Sequence, residues 1–426
     1  MAKNTSPKTD WKFLEERDSL IAEAHARPSQ NIEPPAEVLH LAFRAEEAIQ
    51  RQFFDAINAD SEDTKLRHAI SKVKHASIKL ERHTEFMSCT LFRDKSAQSD
   101  QQDLKQILND NFPMQEIEIL VLLRLDIMKT ATEMLKSLPA NQRVYGGSIR
   151  GDIDARSTFI PDDEGFIHLA VHAKNITGHE LGRRLQRLIE METYRTMTLL
   201  GLPLARQVGS KLSAHERELE VLTVQLRGNG EASQGDDEKL FEQLSSLSEK
   251  TNILSAETRY RFAASRAYFD LFQQRLDSLE EEKIGDVQTM SGFLKARIDP
   301  AMATIESIAK RQRTLNDDLS RALLLLRTRI ELNLNKGNQE LLKSMDKRHD
   351  QQLKISRTVE GLSVIAITYY AVGLVSHLLK VLSQQPWMPL SVTSLTAISV
   401  PFILAVVWWT LHRIRLAWAE KRSTSD

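Results

Sequence analysis

Three features of the chain predict an α+β fold with an N-terminal mixed-sheet cytoplasmic domain, a long helical, coiled-coil-like stalk and two C-terminal transmembrane helices. Residues 11–175 carry short runs of β-branched or alternating residues between helical stretches. Residues 176–360 repeat apolar side chains at three-to-four spacing, the period of a helix face. Residues 361–411 hold two apolar runs, each of the roughly 20 residues that a bilayer core requires.

Taken in order, residues 1–10 (MAKNTSPKTD) are polar and lack the apolar stretch of a secretory signal, so they are expected as a disordered tail. In the α+β cytoplasmic domain at 11–175, helices are expected at 11–24 and 44–59 and strands at 39–43, 76–86, 117–125, 144–152 and 166–173, with a polar loop at 94–103. Residues 176–299 read as long helices. The first is broken near Gly201 and Pro203, and the linker GNGEASQG at 228–235 separates it from the second. In that second helix Leu240, Leu244, Leu247, Leu254, Phe269, Phe272, Leu276 and Leu279 keep helical spacing. The stalk helix at 300–360 repeats Ile308, Leu315, Leu319, Leu326 and Ile330. Pairing of these helices within one chain or between chains satisfies the pattern equally.

The first membrane helix is expected at 361–382, the second at 390–411, and the outer loop SQQPWMP at 383–389 is too short to hold a domain, so the two form a hairpin. Positively charged flanks stay cytoplasmic. Lys343, Lys347, Arg348, Lys354 and Arg357 precede the first run, Arg413, Arg415, Lys421 and Arg422 lie in the basic tail at 412–426, and the loop has no basic residue. Both termini are therefore expected inside a bacterial cytoplasmic (inner) membrane, in a multi-pass protein whose first partner is the lipid bilayer.

Lysine and arginine total 57 against 58 acidic residues, which leaves no global field for nucleic acid. The single cysteine, Cys89, excludes a disulfide framework and a thiolate zinc site. His83, Thr84 and Glu85 spell the His-x-Glu of zinc deaminases, but the Pro-Cys-x-x-Cys partner is absent. A phosphate-binding glycine loop, His-Glu-x-x-His and a Gly-x-Ser-x-Gly elbow are also absent, so no catalytic residue is assigned and no enzyme is expected.

On an expected strand, Glu81, His83 and Glu85 point to one face. With His25 and Arg27 they form the candidate ligand or metal cluster, for which a divalent cation is the candidate ligand; the alternative is a structural network in which arginines neutralise the carboxylates. Glu190, Glu192, Tyr194 and Arg195 read as helix packing and ion pairing. In the first span Ser363, Tyr370, Gly373 and His377 make a small and polar seam, which packs helices or lines water.

Five blocks carry a resemblance: EAHARP at 23–28, LERHTEF at 80–86, RLIEMETYRTMTLLGLPLAR at 187–206, RYRFAASRAYFDL at 259–271 and TVEGLSVIAITYYAVGL at 358–374. They resemble a bacterial family of uncharacterised membrane-anchored proteins, and the resemblance implies anchorage without a chemistry. The order of parts is also similar to the CorA magnesium transporters, in which a cytoplasmic domain leads through a stalk helix to two spans and a basic tail. Their Gly-Met-Asn signature is not in SQQPWMP, so the likeness is one of topology.

Two functions are consistent with these features. One is a homo-oligomeric cation conduit or transport-related protein of CorA-like build. The other is a non-conducting membrane-anchored scaffold or sensor whose cytoplasmic domain binds a ligand or a soluble partner.

Overall fold

The computed structural model describes residues 14, 17, 21, 29–57, 68–73, 76–95, 104–139, 141–228, 234–382 and 392–423. The expected tail at 1–10, most of the expected helix at 11–24, His25, Arg27 and the outer loop at 383–389 lie outside the described residues. Contacts divide the described residues into two units, one drawn from 14–228 and 238–324, the other from 234–237 and 325–423.

The first unit is built on a mixed sheet. Its strands are β1 Ala36–Arg44, β2 His68–Val73, β3 Ala76–Arg82, β4 Met87–Asp94, β5 Glu118–Met128, β6 Tyr145–Ile149, β7 Ile153–Pro161, β8 Ile167–Ala173 and β9 Glu281–Lys283. They lie in the order β2-β3-β4-β1-β5-β8-β7-β6-β9. The pair β5 and β8 is parallel, and the other neighbours are antiparallel.

Alternation along β1, β3 and β4 sorts side chains onto two faces. Leu39, Leu41, Phe43, Ile78, Leu80, Cys89 and Leu91 are buried in a core with helices α1 Glu47–Ile57 and α2 Leu104–Asn111. Helix α1 presents Ile49, Phe53 and Ile57 at four-residue spacing, and Phe53 lies 4.6 Å from both Phe43 and Phe112 between ring centroids. The opposite face carries His40, Lys79, Ser88 and Thr90, all buried although polar. A buried polar face demands partners, and these come from helix α4 Gly178–Leu199.

The strand expected at 76–86 ends at Arg82, and residues 83–86 turn back into β4, with the His83 amide donating to the Phe86 carbonyl at 2.9 Å. A turn is polar and short of alternation evidence, so the pattern ran through it. The sheet also takes β9 from the helical half of the chain. Gly147 permits this approach, because a Cβ there would stand 2.4 Å from the Glu282 carbonyl oxygen. The expected boundary at 175/176 is thus crossed by the sheet itself.

After the short helix α3 Ala131–Lys136, capped by the Thr130 side chain, the long helices are α4, α5 Gly201–Gly228, α6 Gln234–Ser278 and α7 Met290–Leu382. In the first unit α6 and α7 pair antiparallel within one chain, joined by Asn316 to Ser255 at 3.2 Å, Gln312 to Thr258 at 3.1 Å and Lys295 to Asp277 at 3.0 Å. Helix α5 packs on both, through Arg311 to Glu216 and His215 to Thr251. The spacing left intrachain and interchain pairing open; the buried Leu244, Leu247, Phe272, Ile308, Leu315 and Leu319 find their partners inside the chain. Helix α7 starts at Met290, ahead of the expected 300, and holds Pro300 inside.

Two spanning helices were expected, and among the described residues one helix is long and apolar enough to cross a membrane. That helix is α7, and almost none of its most apolar stretch is buried. Helix α8 Val392–Ser423 contains the second apolar run, but its apolar part, Thr396–Thr410, is shorter. The expected run at 390–411 begins with residues outside the described part.

Candidate functional site

Strand register assembles a polar row beneath α4. Lys79 on β3 faces Thr90 on β4, and Thr90 faces His40 on β1. One step along, Glu81 stands between Ser88 and His68 of β2. From above, α4 contributes Gln186, Glu190, Thr193 and Tyr194, and these groups line a cavity of about 40 Å³. A water-sized centre needs roughly 10–15 Å³, so the cavity has room for about three.

His40 is held from both sides of its ring. Its Nδ1 lies 2.8 Å from Thr90 Oγ1 and its Nε2 lies 3.2 Å from Thr193 Oγ1. The Thr193 hydroxyl donates to the Ile189 carbonyl at 2.9 Å, which leaves its oxygen to accept from His40 Nε2. The neutral ring therefore carries its proton on Nε2, and Nδ1 accepts from Thr90. Burial pushes His40 from 6.5 down to about 3; the Glu81 charge opposes this, and His83 and Lys79 add to it.

Glu81 is the carboxylate that the sheet brings to the site. Burial by itself would raise its carboxyl, but the His68 hydrogen bond, the Lys79 charge and His83 outweigh that and hold it at about 2. Lys79, only 5% exposed along its side chain, places Nζ 3.2 Å from Glu81 Oε2. Glu190 accepts from Gln186 at 2.8 Å and pairs with Arg275 of α6. His83 leaves the strand at the turn and stacks on Phe86 with centroids 4.3 Å apart.

The residues singled out from the sequence separate here. Glu81 and His83 enter the cavity, whereas Glu85 is carried away by the turn and pairs with Arg261 of α6 at 3.0 Å. Glu85 raises the Tyr260 hydroxyl, and burial together with the Glu85 charge raises that of Tyr268. The shared strand face expected for Glu81, His83 and Glu85 does not exist, because the strand ends before His83. Among the described residues no group of three His, Cys, Asp or Glu is gathered to hold a metal ion. His25 and Arg27 lie outside the described residues. Glu192 is fully buried and bound by Arg195, the ion pair expected of that block.

Along α7, the polar groups of the seam turn to their own backbone. Ser363 donates to the Val359 carbonyl at 2.8 Å, and His377 Nδ1 lies 3.1 Å from the Gly373 carbonyl. Tyr370 is exposed beside Tyr369, and a Cβ at Gly373 would meet nothing within 4 Å.

His40, Lys79 and Thr193 were missed in the sequence. His40 lies inside an apolar run, while Lys79 and Thr193 sit among other polar residues, and inward direction is visible only where the sheet and α4 meet.

Residues 14–418 match a single family profile. The chain belongs to the family described as Protein of unknown function (DUF3422). Membership covers both units and agrees with the resemblance to an uncharacterised family. No curated protein matches the chain.

Proposed function

We propose that this member of the family is a non-conducting, membrane-anchored sensor or scaffold whose α+β unit binds a small polar ligand in the cavity beneath α4. The observation that supports this reading most is the convergence of buried Lys79 and His40 with partly buried Glu81 and His83 around a cavity that one chain completes. Burying such groups is unfavourable unless they are paired, and their arrangement around open volume suits a guest of a few heavy atoms. Anchorage rests on the exposed apolar stretch of α7 and the run that follows in α8, with both termini on the cytoplasmic side by the flanking charges. Binding is the proposed reading: the hydroxyl–imidazole contacts of Thr90 and Thr193 with His40 are buried, and the Thr193 hydroxyl is tied to the Ile189 carbonyl.

Native mass spectrometry of the full chain released from nanodiscs tests this reading. A retained small molecule that is lost in Lys79→Met is expected, and an empty cavity in both proteins under every growth condition would count against it.

The uninterrupted α7, from the packed helices to the apolar stretch, favours a second reading: the CorA-like oligomeric conduit, with Ser363, Tyr370, Gly373 and His377 around a shared axis. Cation flux in liposomes, together with aqueous labelling of Gly373→Cys but not Leu374→Cys, would favour the conduit. Silent liposomes and an unlabelled seam would favour the sensor.

A further inference from the structure

A second cavity lies in the first unit, lined by residues that the polar cavity does not use. It has a volume of about 500 Å³ and is walled by the end of α4, the starts of α5 and α7 and the bulge of β7. Among the described residues three guanidinium groups line it, Arg195, Arg206 and Arg297, and no carboxylate does. Arg195 is bound to Glu192. Arg206 and Arg297 form no ion pair among the described residues, so two cations face this space without an anion.

The walls are built to hold Arg297. Its guanidinium sits 3.8 Å over the Phe293 ring, and Phe293 stacks on Phe159 with centroids 5.4 Å apart. Phe159 adopts a φ of 55°, a region disfavoured for a bulky side chain, within the stretch where the β7 to β8 register shifts. The bulge turns this ring toward the cavity wall.

An adjoining pocket of about 350 Å³ shares Arg195 and Leu199 as its common wall. Leu120, Leu122, Leu200 and Pro203 make it mostly apolar, with Thr196 and the paired Glu192 and Arg195 as its polar lining. Both volumes fall in the roughly 300–1,000 Å³ range of small-molecule sites. A cationic chamber side by side with a largely apolar one, with Arg195 and Leu199 between them, matches a molecule with an anionic head and a hydrocarbon tail.

We infer that these adjoining pockets bind a single-chain anionic lipid, its phosphate or carboxylate head between Arg206 and Arg297 and its chain across Leu199 into the apolar pocket. Guanidinium forks suit such heads because they donate two parallel hydrogen bonds. The site is independent of the polar ligand proposed above.

Calorimetric titration of dodecyl phosphate, below its micellar concentration, into the full chain in zwitterionic nanodiscs tests the inference, with empty nanodiscs as blank. One saturable site per chain is expected, weakened at least tenfold in Arg206→Ala/Arg297→Ala, both exposed positions. Inorganic phosphate and dodecanol should each bind at least a hundredfold more weakly, the first lacking the tail and the second the charge. Circular dichroism melts identify a variant that has lost its fold, and Arg206→Lys, keeping charge without the fork, should bind at intermediate strength. No binding of dodecyl phosphate, unchanged affinity in the double variant, or either control binding as tightly would overturn the inference. Binding that appears only when an oligomer dissociates would reassign the groove to a second copy of the chain and overturn it as well.

Discussion

Replacing His40 by glutamine should remove an acid-sensitive contribution to the stability of the sheet while keeping both hydrogen bonds, since an amide can accept from Thr90 and donate to Thr193. The ring is held near 3 in the folded protein against 6.5 when exposed, because it is buried. The folded value lies below the unfolded one, so the neutral ring's contribution is complete above about pH 6.5 and is lost as pH falls toward 3. At 1.36 kcal/mol per unit the limiting loss is about 5 kcal/mol, and between pH 7 and pH 5 it is about 2 kcal/mol. Glu81 is held below its ordinary value, so its own contribution persists down to about pH 4.5 and leaves this window undisturbed. Hydrogen exchange of β1, β3 and β4 amides, corrected for intrinsic rates, reads the opening free energy directly. The wild type should lose about 2 kcal/mol of protection across the window and His40→Gln should lose almost none. Equal losses in both proteins would show that the ring titrates normally and that the buried, doubly hydrogen-bonded geometry is wrong.

Arg261→Met should leave Glu85, 6% exposed, without its cation and lower stability by about 3 kcal/mol, while Glu85→Gln with Arg261→Met should recover most of it; thermal melts of the four proteins complete the cycle. A Cβ at Gly182 would stand 2.0 Å from the Gln30 carbonyl oxygen, so Gly182→Ala should displace the strap at 29–32 from α4 and cost about 1–3 kcal/mol, read as faster exchange at Ile32 and Gly178, whose backbones pair. Reporter fusions after Pro389 and at Asp426 should report opposite sides of the membrane, and a cytoplasmic signal from the loop would end the hairpin. Stopping the chain at Arg357 should release it from membranes washed in high salt, where electrostatic adhesion is screened; retention would mean another anchor.

Much of the element pattern was visible in the linear chain where period and length agree. Strand β5 alternates over eleven residues and was expected at 117–125, and α1 declares itself through Ile49, Phe53 and Ile57. The break between α4 and α5 was readable at Gly201, where the helix passes so close to α6 that a Cβ would stand 2.5 Å from Ser265 Oγ. Strands β2, β4, β7 and β9 were not expected. The three residues of β9 have no period to read, and they become a strand only because β6 offers an open edge.

By itself the sequence determined the α+β class, the mostly helical second half and the apolar run in α7, because hydrophobic period and run length are properties of neighbours along the chain. The tertiary structure alone decided that α6 and α7 pair within one chain, that Glu85 leaves the cluster while Glu81 stays, and that His40 and Lys79 join it. Those outcomes depend on which strands lie side by side and in what register, and contacts between residues 40, 79, 90 and 193 carry no short-range signal.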